Sequence, residues 1–301
     1  PFCNSYDHRA GNPGFQSGEE GASCFGRRPH HRPLGIQQVP EVERRPLAVY
    51  EQLAGVRDEA EALLLARAEE LLYELGLRRA AEVVVNHTDA AAARQLTYLA
   101  FLVGLLEAER EARYERCLQA RMKLANFPFR KTLADFDFRF QPSLDERQVR
   151  ELATLAFIEE GTNVIFLGPP GVGKSHLAVA LGIEAVRHRI STYFVTFHRL
   201  VDDLRRAHAD RRLERRLRVY SKPRLLILDE LGYLPLQPLD AANFFRLVCE
   251  RYERGLPMII TSNVSYGEWD RLIGDPVLAA AMLDRLLHCS VTVNIRGPST
   301  A

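Results

Sequence analysis

The sequence predicts an α/β fold: a parallel five-stranded sheet between helices, preceded by a small all-helical domain. Three observations carry this expectation. Five short runs, "NVIFLG", "TYFVTF", "RLLILDE", "PMIITSN" and "SVTVNI", are apolar on both faces, as strands covered by helices on either side must be. Helical segments separate these runs, the alternation expected of a parallel sheet. From about Pro46 to Ala125, by contrast, the pattern is helical throughout, with apolar residues three and four apart and charges between them.

Length and composition narrow the function classes. A chain of 301 residues has room for two domains, and 47% hydrophobic with 26% charged residues at net charge +1 is ordinary for a soluble globular protein. No apolar run reaches the roughly eighteen residues needed to cross a bilayer. The best candidate, Tyr98 to Leu106, is half that length and reads as a buried helix segment. The start has no apolar core of a secretory signal. The five cysteines are scattered without C-x-x-C spacing, which argues against a disulfide scaffold or a metal knuckle and for a reducing cytoplasm.

Along the chain, residues 1–42 are rich in Gly, Pro, His, Arg and Ser without periodicity and read as a disordered tail. Residues 43–126 form the helical domain, carried by "EALLLARAEELLYELGL" and "RQLTYLAFLVGLLEAEREARYERCLQARMKLA". Pro128 and a cluster of aromatics break the period over 127–142, which reads as a linker. Residues 143–301 then form the α/β domain, opening with the short helical pattern "LDERQVRELATLAFIEEG".

The first strand of that domain runs into "GPPGVGKSH", where Gly168, Gly173, Lys174 and Ser175 satisfy G-x-x-x-x-G-K-[ST]. Gly168, Pro169, Pro170, Gly171, Val172, Gly173, Lys174, Ser175 and His176 are therefore the expected wrapping for phosphate. Glycines let the backbone turn its N–H groups inward, and the following helix adds its positive dipole end. Lys174 is expected to reach the β- and γ-phosphates of ATP and Ser175 to ligate Mg²⁺. In "LLILDE", Asp229 emerges at the carboxyl end of a buried strand, where it suits the magnesium shell. Glu230, one residue on, is placed to accept a proton from an attacking water. "PMIITSN" ends on Asn263, a neutral amide able to orient that water. In "DPVLAAAMLDRLLHCS", Arg285 either forks onto a phosphate or simply pairs with Asp284 or another acidic neighbour.

The order of phosphate loop, Asp-Glu strand, Asn-tipped strand and helical arginine resembles an AAA+ ATPase. From about residue 75 onward the chain more closely resembles the IstB-like helper ATPases of bacterial insertion sequences, relatives of the DnaC helicase loaders. The resemblance rests on "KTLADFDF", "FLGPPGVGKSHLAVALG", "LLILDELGYLPL", "IITSN" and "GDPVLAAAMLDRLLHCSVTVNI". It implies an AAA+ core, Arg285 acting as a finger across a subunit boundary, and an ATP-dependent homo-oligomer that binds duplex DNA and activates a partner transposase. "NIRGPSTA" follows soon after the last strand, so little or no C-terminal lid is expected. A helicase loader and a non-hydrolysing, nucleotide-dependent DNA scaffold are the alternatives.

One stretch remains. "RRAHADRRLERRLR" holds Arg205, Arg206, Arg211, Arg212, Arg215, Arg216 and Arg218 against only Asp210 and Glu214. Treated as one helix, it presents Arg211, Arg215 and Arg218 on one face and Arg205, Arg212 and Arg216 on the next. Such self-repulsion on a nearly neutral protein fits contacts to DNA phosphates.

Overall fold

A computed structural model describes residues 57–232 and 235–297 of the chain, and it contains the expected parallel sheet. The tail predicted to be disordered, residues 1–42, lies outside the described residues. Three helices come first: α1 (Arg57–Glu74), α2 (Arg78–Arg94) and α3 (Tyr98–Leu124). Ala80, Val83, Val84 and Leu105 form their own small core. Buried Glu109 of α3 accepts the N–H groups of Arg79 (2.7 Å) and Ala80 (3.1 Å), so a carboxylate caps the positive end of α2. Tyr98–Leu106 is helical but, contrary to expectation, not buried. Among the described residues only the stripe through Phe101 and Leu105 meets the neighbouring helices, and Tyr98 remains 95% exposed.

Residues 127–142, expected as the boundary between domains, are tied to the α/β core. Phe127, Phe129, Leu133, Phe136 and Phe138 pack on one of its two apolar clusters. Just before them, the Ala125 carbonyl accepts Phe194 N–H (2.8 Å) and the Asn126 amide donates to Phe194 O (3.1 Å), which pairs the chain with an edge of the sheet.

The core then follows in order: α4 (Glu146–Leu152), α5 (Ala156–Glu160), β1 (Asn163–Leu167), α6 (Lys174–Arg187), β2 (Thr192–Thr196), α7 (Phe197–Ala209), α8 (Leu213–Ser221), β3 (Leu225–Leu231), α9 (Pro238–Glu253), β4 (Met258–Ser262), α10 (Trp269–Ile273), α11 (Pro276–Leu287) and β5 (Ser290–Asn294). The strands are all parallel, ordered β2-β3-β4-β1-β5. Each of the five apolar runs is a strand. Their period of two divides the core: Leu226, Leu228 and Ile165 pack with α7–α11, whereas Leu225, Ile227, Val164 and Phe166 pack with α4–α6. Among the described crossover helices α6 alone covers the second face. That change of side falls at β1, and open sheets bind ligands at the carboxyl ends of strands beside such a switch.

Candidate functional site

At the carboxyl end of β1 the chain must reverse into α6, and its glycines make the turn possible. Gly173 sits at φ 91°, in the left-handed region, and a Cβ there would lie 2.6 Å from the Phe136 ring. Only glycine fits that position. Val172 anchors the loop by burying its side chain in the core. Lys174, the first residue of α6, is buried and donates from Nζ to Gly168 O and Pro169 O, both at 2.7 Å. Burial pushes its ammonium below the ordinary lysine range, opposed by the charges of Asp229 and Glu230.

Asp229 and Glu230 meet this loop through an irregularity in β3. Leu228 pairs with Ile260 and Leu231 with Ser262, so two residues of β3 oppose Thr261 alone. The extra residue makes a β-bulge, which re-aims the side chains beside it. Asp229 Oδ1 accepts hydrogen bonds from Ser175 Oγ (2.8 Å) and Thr261 Oγ1 (2.5 Å). Thr261 Oγ1 also accepts the backbone N–H of Glu230 (2.9 Å), which holds Glu230 at φ 64°. A left-handed non-glycine residue of this kind costs on the order of 1–3 kcal/mol and persists only where its surroundings enforce it. Burial and the neighbouring Asp229 raise the Glu230 carboxyl above its usual range, while Lys174 opposes them.

Together these residues line a cleft of about 330 Å³, with Pro170, Gly171, Gly173, Lys174, Ser175, His176, Glu230, Thr261, Ser262, Asn263 and Lys131 on its walls. Asn263 follows β4, and its Oδ1 is buried without a hydrogen-bond partner among the described residues. Thr261 and Lys131 went unnoticed in the sequence. Thr261 was legible only as the neighbour of an Asn-tipped strand end, and Lys131 lies in the segment read as a linker.

A family model described as "IstB-like ATP binding protein" matches residues 70–301. The chain belongs to this family. Among its relatives, the ATP-binding protein of insertion sequence IS5376 from Geobacillus stearothermophilus is 48% identical over 77% of this chain and 92% of its own length. The corresponding protein of insertion sequence IS21 from Pseudomonas aeruginosa is 47% identical over 77% and 87%. The solved structure of the DnaI has 24% identity and a TM-score of 0.48 over 56% of this chain and 92% of that one.

In this IstB-like chain Arg285 lies elsewhere. Near the end of α11, it packs over the Phe245 ring (5.0 Å to the centroid) and donates to Ala281 O (2.8 Å). It lines a second cavity with Asn163, His288 and Cys289, at the amino-terminal end of β1 and β5, opposite the phosphate loop. No salt bridge to Asp284 forms among the described residues.

The arginine stretch also differs from expectation. It is not one helix but two, because α7 ends at Ala209 and Arg211 turns the chain at φ 56° before α8 begins. Leu204, Ala207 and Leu217 are buried as the helices fold onto the core, so the faces drawn on a single helix do not exist. Two arginines are already neutralised. Arg205 Nη2 bonds Asp240 Oδ2 (2.5 Å), and Arg216 pairs with Asp203, which also accepts Tyr220 OH (2.6 Å). Arg206, Arg211, Arg212, Arg215 and Arg218 are exposed around the hairpin and form no salt bridge among the described residues.

Proposed function

We propose that this chain is a Mg²⁺-dependent ATPase that assembles with copies of itself on duplex DNA and activates the transposase of its insertion sequence. The observation that carries the reading is the shared cleft: the phosphate loop, Glu230 and Asn263, at the ends of three separate strands, line one pocket, and Asp229 is hydrogen-bonded to Ser175 behind its wall.

The donor set fits a nucleotide and its metal. Ser175 Oγ and Asp229 Oδ1, already 2.8 Å apart, are hard oxygen ligands of the sort Mg²⁺ accepts. Bound there, Mg²⁺ would neutralise developing charge on the phosphates. Lys174 holds two loop carbonyls and would turn its charge toward phosphate oxygens. Glu230 takes a proton from the attacking water, and Asn263 orients that water through its amide.

Arg285 faces away from its own cleft, so its role as a finger requires a neighbouring subunit. The five free arginines of the α7–α8 hairpin supply the contacts to DNA phosphates. The IS5376 and IS21 relatives are described as insertion-sequence ATP-binding proteins, which supports the transposase as partner.

The test is Glu230→Gln. Removing the base while keeping shape should lower ATP turnover by at least about 100-fold and leave an ATP-bound oligomer trapped on duplex DNA. Turnover equal to wild type, or ordinary dissociation from DNA in the presence of ATP, would overturn the assignment.

A further inference from the structure

Residues 128–138 run beside the phosphate loop, and three contacts fasten them there. The Thr132 carbonyl accepts a hydrogen bond from His176 Nε2 at 2.9 Å, in the first turn of α6. The Phe136 ring lies edge-on to His176, with centroids 5.2 Å apart, and fills the space where a Gly173 side chain would go. Thr132 and Asp135 brace the turn itself: Thr132 N–H and Oγ1 both donate to Asp135 Oδ2, at 2.7 and 2.8 Å.

The residue this brace holds at the cleft is Lys131. Lys131 lines the pocket with Lys174, is exposed, and makes no salt bridge among the described residues, although the Asp135 carboxylate feels its charge. Charge shows why a second cation matters. Lys174 and Glu230 cancel along the cleft, and Asp229 stands behind them. Lys174 also spends two of its three N–H donors on loop carbonyls. Without Lys131 the side chains lining the cleft would carry no net positive charge, and only the backbone N–H groups and the α6 dipole would meet a ligand that is itself strongly anionic.

We infer that Lys131 is a second phosphate-contacting cation of the cleft, acting on the phosphate chain of a nucleoside di- or triphosphate. The inference rests on the nucleotide reading of the cleft. Because the segment bearing Lys131 continues directly from α3, the same contact links nucleotide occupancy to the end of the helical domain.

The test uses the full chain, with fluorescent ATP and ADP analogues titrated into wild type, Lys131→Met and Lys131→Arg. Lys131→Met should weaken both nucleotides about tenfold, and Lys131→Arg should stay within about threefold of wild type, as loss and retention of a charge-assisted contact predict. Adenosine, used as a competitor, should displace the analogue equally well from wild type and Lys131→Met after correction for analogue affinity. Undiminished nucleotide binding by Lys131→Met overturns the role of Lys131 alone. Equal weakening of adenosine, or a Lys131→Arg protein as weak as Lys131→Met, shows that the segment shapes the pocket rather than contacting phosphate, and also overturns it. A wild-type protein that binds neither nucleotide overturns the nucleotide reading itself.

Discussion

Replacing Arg211, Arg212, Arg215 and Arg218 with Ala should remove most of the proposed electrostatic grip on DNA. The structure sets the magnitude. Of the seven arginines in the stretch, Arg205 and Arg216 are neutralised by Asp240 and Asp203, which leaves five with charge to give. If each releases one counterion from duplex DNA, the slope of log affinity against log salt is about −4.5. Raising salt from about 100 to about 300 mM then weakens binding about 140-fold in wild type. The quadruple variant keeps only Arg206, so the same change should cost it about threefold. Arg205→Gln is the internal contrast: it removes a charge already spent and should leave the slope unchanged. Fluorescence anisotropy with a labelled duplex, in the presence of a non-hydrolysable ATP analogue, measures all three slopes. A quadruple variant that retains a slope near −4, or an Arg205→Gln protein that loses a full unit, would refute the division into free and spent arginines. Loss of ATP binding in the quadruple variant would show instead that the hairpin is structural.

Two further outcomes concern Arg251 and Glu230. Arg251 is fully buried and donates to the carbonyls of Tyr220, Pro223, Arg224 and Pro257, at 2.9, 3.1, 3.3 and 2.6 Å, while burial holds its guanidinium down to about 9. Arg251→Ala strands four acceptors where α8 meets β3 and β4, and should cost at least about 3 kcal/mol in denaturant unfolding; a loss below about 1 kcal/mol would mean that water replaces the guanidinium freely. Hydrolysis should also fall on the acid side at a pH above the ordinary carboxylate range, because the Glu230 carboxyl is raised and only its deprotonated form accepts a proton. A pH–rate profile whose acid limb sits in the usual Glu range would exclude Glu230 as the group that sets it.

Much of the fold was legible because strand and helix periods are local. All five apolar runs became strands, and the glycine-rich loop lies at the end of β1 as its motif requires. The misses were contacts between distant residues. The repulsion among seven arginines looked uniform because Asp203 and Asp240 lie outside the stretch and were not matched to it. Thr261 became visible as the bridge between Asp229 and Glu230 only when a bulge set two residues against one. Aromatics interrupted by Pro128 break periodicity whether they form a free linker or pack on a core, so the position of Lys131 could not be read from its neighbours.

The central claim is that one subunit's cleft is completed by the Arg285 of another. Mixing two inactive variants tests it most directly. Lys174→Ala spoils a cleft but keeps its finger, and Arg285→Ala does the reverse. With random equal mixing on duplex DNA, about a quarter of the subunit boundaries pair an intact cleft with an intact finger, so ATP turnover should recover to about a quarter of wild type. A mixture as inactive as either variant alone would contradict the shared site.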